Sequence, residues 1–199
     1  MNQRLLQQVE FLVEVDKLKT ILRQTHLIHQ ERRENDAEHS WHLAVAAMVL
    51  AEHANEVIDI AKVITMVLVH DLVEIDAGDT FCYDYEGAKD KAQREERAAD
   101  RIFGLLPEDQ AHSFRNLWDE FEERETPEAR FAAALDRFQP VLHNLHTGGG
   151  TWKRHGIPRA QVEERNSPMG QGSVRLWQYV SRLLDEAVAS GMMKEWRED

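Results

Sequence analysis

The run IAKVITMVLV, residues 60–69, is apolar on nearly every side, with Lys62 and Thr65 as its only polar breaks. A helix of that kind belongs inside a fold rather than on its surface. It leads straight into HDLVEIDAGDT, which puts His70 and Asp71 at the end of the apolar run, Glu74 one turn on and Asp79 just beyond. A carboxylate carried into a dry interior is costly unless a proton, a cationic partner or a metal compensates it. Any fold of this chain therefore has to bring such a partner to Asp71.

The rest of the chain reads as helices with short connections. Phe11, Val15, Leu18 and Leu22 recur at helical spacing and predict a first helix near residues 3–23, followed by the polar connector RRENDAEHS. Asp36 reads as the N-cap of a second helix over 37–54, and the apolar run predicts a third over 59–75. In AKDKAQREERAADRIFGLL, Ala92, Ala99, Ile102 and Leu106 form a narrow inner stripe beneath a charged face. PEDQAHSFRNLWDEFEER holds one or two helices. TPEARFAAALDRFQPVLHNLH opens on Thr126 and Pro127, an N-cap and first-turn pair, and carries the stripe Phe131, Leu135, Phe138, Leu142 and Leu145. The segment 147–172 reads as a surface loop with a short helix inside it, and a final helix ends at Gly191. No alternating strand pattern stands out. The expectation is an all-α single domain of about six to eight helices over residues 1–199, its core motifs between about 10 and 145.

Charge narrows the partners. A net charge of −12 opposes attraction to nucleic-acid backbones or anionic lipid, and it would repel a phosphate ester unless something locally positive received it. No apolar stretch approaches the roughly 18 residues that span a membrane. The N-terminus MNQRLLQQVEF lacks the features of a secretory signal, and the single cysteine, Cys82, cannot form an internal disulfide. The expected compartment is the cytoplasm.

The residues suited to chemistry cluster in three places. His39 and His42 share a face at the start of the second helix, His70, Asp71 and Glu74 close the third, and Asp136 lies beside an apolar stripe in AALDRF. Two imidazoles with two carboxylates suit a divalent cation that keeps positions open for water and substrate. His42 reads as a packing or supporting residue. His143 and His146 share a face and suit metal, but no carboxylate lies near them in sequence. Pro140, four residues after Asp136, predicts a kink, which either turns that carboxylate inward or is only a bend. Cys82 has no evident partner, and neither a nucleophile elbow nor a P-loop is present.

Taken in order, AEHS, LVHDLVEIDAGD and ALDRF resemble the HD-domain metal-dependent phosphohydrolases, and the string H-D-x-x-E-x-x-x-G-D preceded by E-H-S is similar to their 5′-deoxynucleotidase branch. The resemblance covers about residues 10–145. It implies a divalent metal held by His39, His70, Asp71 and Asp136, with Glu74 acting on the attacking water, Asp79 contacting the sugar and Arg23 contacting phosphate. Arg23 is followed by Gln24 and Thr25 where that branch carries an aromatic residue. The implied reaction is hydrolysis of a small phosphomonoester, with a (deoxy)nucleoside 5′-monophosphate foremost. The alternatives are another nucleotide or phosphate ester, or a non-catalytic module that binds metal or nucleotide. A homodimer is implied by resemblance alone. Beyond residue 145 the resemblance does not extend, and Lys153, His155 and Arg165 read there either as phosphate contacts or as ordinary surface charges, the latter favoured.

Overall fold

A computed structural model of the chain describes residues 2–195. The fold is all-α apart from one small hairpin. Its helices are α1 (Gln3–Val15), α2 (Asp36–Leu50), α3 (Ile60–Val69), α4 (Glu74–Ala77), α5 (Lys91–Phe103), α6 (Glu108–Glu123), α7 (Pro127–His146), α8 (Gly150–His155), α9 (Arg159–Asn166) and α10 (Val174–Ala189). Strands β1 (Leu22–His26) and β2 (Arg33–Asn35) pair antiparallel.

The hairpin corrects the sequence reading of the N-terminal region. The first helix stops at Val15, continues as a 3-10 turn over Asp16–Thr20, and gives way to β1. Arg23 therefore stands on a strand rather than at a helix end. The strand was invisible because five residues with one buried position, Thr25, carry too little alternation to read. The N-cap of α2 is Asn35, not Asp36. Its side chain accepts from the Glu38 N–H while the Glu38 carboxylate accepts from the Asn35 N–H, a complete capping box. Asp36, freed from capping, is fully buried.

Helix α7 forms the axis of the larger core. Residues 131–135 are all buried, as are Phe138 and Val141, so burial extends well beyond the single expected stripe. Thr126 caps it and Pro127 opens it, as the sequence implied, and Pro140 lies inside a helix that runs on to His146. Val63, Met66 and Val67 of α3 join this core, whereas Val69, Leu72 and Val73 belong to a second one with Phe11, Ala99 and Ile102. His70 falls where the chain passes from one core to the other. There the helix tightens to a 3-10 turn over His70–Val73 before α4 begins at Glu74.

Two further expectations change. Ala92 is exposed, and Glu95 takes the inner place on α5, paired with Lys91 at 3.0 Å. Segment 147–172 is no surface loop: it folds into α8, α9 and a 3-10 turn, burying Trp152, Ile157, Val162 and Met169 in the core around α7. Its glycines hid this, because Gly149 and Gly156 adopt left-handed conformations that bound α8 at its start and its end rather than prevent it.

Candidate metal centre

Helix α2 supplies His39, the 3-10 turn supplies His70 and Asp71, and α7 supplies Asp136. His39 Nε2 stands 3.1 Å from Asp136 Oδ1 and 3.8 Å from Asp71 Oδ2. His70 Nε2 stands 3.0 Å from Asp71 Oδ1 and 3.9 Å from Asp136 Oδ1, yet makes no directed hydrogen bond. The outer nitrogens are engaged elsewhere. His70 Nδ1 donates to the Val67 carbonyl at 2.8 Å, and His39 Nδ1 donates to Gln139 Oε1 at 3.2 Å. Those partners accept only, so in each neutral ring the lone pair sits on Nε2 and faces the carboxylates.

Lone pairs facing carboxylate oxygens repel unless a cation stands among them, and this donor set fits a divalent one. His39, His70 and Asp136 each offer a ligand atom within 4.8 Å of the others. The electrostatics agree. Burial, reinforced by Arg23, pulls His39 down to about 4, so it is neutral at physiological pH. Burial disfavours charge on His70 as well, but Asp71 and then Asp136 outweigh it and raise it to about 9: without a cation a second proton, on Nε2, supplies the positive charge that the carboxylates demand at that point, and a bound cation takes its place. Burial works against charge on Asp136 too, but when protons rather than a cation stand between it and the two Nε2 atoms, hydrogen bonds from the imidazoles hold it well below the usual carboxylate range.

Beside this centre lies a second carboxylate group. Asp36, Glu74 and Asp79 bring one oxygen each within 4.8 Å of the others. Burial, then the charge of Asp71, raises both Glu74 and Asp36, Asp36 to about 7, while Glu74 rises well above its ordinary value and its Oε2 has no partner. Arg23 ties the two groups together, with Nη1 2.9 Å from Asp71 Oδ2 and 3.3 Å from Asp36 Oδ1. One cavity is lined by Arg23, His70, Asp71, Glu74, Asp79 and Asp136.

All seven residues singled out in the sequence thus lie in one neighbourhood, although they come from a strand, two long helices, the α3–α4 turn, the start of α4 and the residue just past its Gly78 cap. Sequence reasoning missed Asp36, which its position suggested was a cap, and Gln139, whose amide orients His39. For Arg165 the sequence favours the surface-charge reading over a phosphate contact. That residue lines the same cavity, its carbonyl accepting from Arg137 Nε of α7 at 3.3 Å, whereas Lys153 and His155 are exposed. No local pattern distinguishes these three.

The chain is 56% identical to a predicted metal-dependent phosphohydrolase from Magnetospirillum magnetotacticum MS-1, known from a crystal structure at 1.37 Å; the match covers 96% of each chain with a TM-score of 0.91. It is 32% identical over 135 residues to the human 5′-deoxynucleotidase HDDC2, a match covering 67% of this chain but only 65% of the human protein. The PH0347 protein of Pyrococcus horikoshii OT3 shares the fold at 23% identity and a TM-score of 0.61, over 88% of this chain and 99% of that one. Residues 15–177 match the HD domain family, and by that match over most of its length the chain belongs to the HD domain family.

Proposed function

We propose that the chain is a single-domain metal-dependent phosphohydrolase acting on a small phosphomonoester, with a (deoxy)nucleoside 5′-monophosphate as the foremost substrate. The observation that carries this reading is the convergence of ligand atoms of His39, His70 and Asp136 within 4.8 Å of one another, with Asp71 Oδ1 3.0 Å from His70 Nε2 and both Nδ1 atoms already engaged. His39, His70, Asp71 and Asp136 would hold the divalent cation. When bound, such a cation supplies Lewis-acid polarisation of phosphate and activation of water at neutral pH.

The remaining roles belong to the chain's own side chains. Arg23, with Lys91 and Arg165 on the same cavity, offsets the phosphate charge that a net −12 protein would otherwise repel. Glu74, with its free Oε2 and raised proton affinity, takes the proton of the attacking water and passes it to the leaving 5′ oxygen. Water oxygen joins phosphorus, the P–O bond to the nucleoside breaks, and nucleoside and inorganic phosphate result. Asp79, which lines the same cavity, would meet the sugar. The name of the human relative supports the nucleotide reading.

The same reading includes a homodimer, a cytoplasmic setting and no nucleic-acid or membrane partner. Two exposed apolar helix faces support the dimer: Leu5, Val9 and Leu12 on α1, and Trp41, Val45 and Met48 on α2. A second copy is the occupant they suit, and sedimentation equilibrium of the native chain reads it directly. No helix among the described residues is long and apolar enough to cross a membrane.

Phosphate release from deoxynucleoside monophosphates, assayed with manganese, cobalt or magnesium, tests the central claim. Activity should vanish in Asp71→Ala, and undiminished turnover in that variant would refute it. A native protein that binds metal but releases no phosphate from any mono-, di- or triphosphate would instead be a binding module.

A further inference from the structure

One turn further along the same two helices, a second group of ligating side chains converges outside the cavity just described. His42 follows His39 on α2, His143 follows Gln139 on α7, and Glu34 comes from β2. Glu34, His42 and His143 each offer one ligand atom within 4.8 Å of the others. His143 is buried, and its Nδ1 donates to the His26 carbonyl at 3.0 Å, which leaves the lone pair on Nε2. That lone pair points at His42 Nδ1, 3.4 Å away. The ring is thus anchored from behind by a backbone carbonyl, the arrangement that commonly orients a metal-bound histidine.

Gln139 Nε2 lies 2.5 Å from Glu34 Oε1, 3.1 Å from His143 Nε2 and 3.3 Å from His42 Nδ1, so all three side chains meet at one amide nitrogen. The other oxygen of Glu34, on a side chain only 1% exposed, has no hydrogen-bond partner; its nearest cation is Arg23 Nε at 3.9 Å. A cleft of about 490 Å³ opens onto these residues, lined also by Leu27, Glu38 and Trp41, and it shares no lining residue with the cavity beside Asp71.

We propose that Glu34, His42 and His143 form a second metal site, of the two-histidine, one-carboxylate type that takes a borderline transition metal such as zinc or cobalt, with the cleft leaving positions for water. A cation there turns the Gln139 amide nitrogen aside and uses the lone pairs it had shared. Because Gln139 Oε1 accepts from His39 Nδ1, occupancy of this site also reaches the histidine of the first one. The assignment does not depend on the phosphohydrolase reading.

Crystals of the full chain grown with excess zinc, with anomalous data collected at the zinc edge, test it. The expected result is a peak between His42 Nδ1 and His143 Nε2 in addition to one among His39, His70 and Asp136. Metal analysis of dialysed protein should show one zinc equivalent fewer in His143→Ala and in His42→Ala than in the native chain. The latter is the safer variant, since His42 is only partly buried. A peak at the first site with none at the second, or unchanged zinc content in both variants, would overturn the proposal and leave an amide-bridged polar cluster. Failure of phosphate release with both peaks present would sink the catalytic reading alone.

Discussion

Helices α2 and α7 carry two polar clusters one turn apart, and the two are built differently. Around His39 and Asp136 the third contributor is the end of an apolar helix, so His70 and Asp71 arrive already buried, with carboxylates outnumbering the cations near them. Around His42 and His143 the third contributor is a short strand whose far side is a solvent cleft, and imidazoles dominate. Gln139 is the wall between them, with its oxygen on one side and its nitrogen on the other. The same helix pair thus presents two donor sets, and the segment that meets each one decides the balance of charge. Excess carboxylate favours a hard or borderline dication with phosphate beside it, whereas the imidazole-rich set favours a softer transition metal.

The largest effect that would break this contrast is the complete loss of turnover expected for Asp71→Ala. Next comes Glu74→Gln, which keeps the shape but not the proton; kcat should fall by about 10²–10⁴-fold with metal content unchanged. Loss of metal together with activity would make Glu74 a ligand rather than a proton carrier.

Glu34 separates the clusters by pH. Burial raises its pKa from 4.5 to about 7, with Arg23 and Gln139 only partly opposing. A carboxyl raised on folding binds more protons in the native state, so its contribution is full below pH 4.5 and is lost as pH climbs through 7. The slope amounts to roughly 3 kcal/mol across that window, from about 1.4 kcal/mol per pKa unit. Thermal unfolding of the native chain should therefore show a falling stability that Glu34→Gln lacks, and added zinc should flatten it. A native profile with the same slope as Glu34→Gln would remove the buried carboxylate from the account.

The smallest effect is the most diagnostic of the shared wall. Gln139→Ala leaves every ligand in place but frees His39 to rotate or change tautomer, and affinity for the first metal should weaken about 10–100-fold. Isothermal titration with manganese measures this. Unaltered affinity would mean that packing alone orients the His39 ring.

How much of this was legible depended on how local the signal was. His70, Asp71 and Glu74 stood out because they interrupt an apolar run, and Thr126 with Pro127 marked the start of α7 without help from the fold. The β1–β2 hairpin and all but one short helix of 147–172 escaped, being short and held by contacts with distant residues: Thr151 Oγ1 donates to the Gln24 carbonyl, and Arg159 N–H to the Lys194 carbonyl. Glu34 and Asp36 looked like connector and cap because nothing nearby in sequence says that a neighbouring strand will bury them. For His143 the missing partner was a carboxylate, and it lay 109 positions earlier, on β2.

By itself the amino-acid order determined the helical class, the long apolar helix and the need for a compensating charge at its end, since helical periodicity and the cost of burying a carboxylate act over a few residues. Only the tertiary structure decided which groups meet. Ligand sets are made of side chains from separate elements, and whether two of them come within 4 Å is settled by how helices and a hairpin pack, which no local stretch encodes.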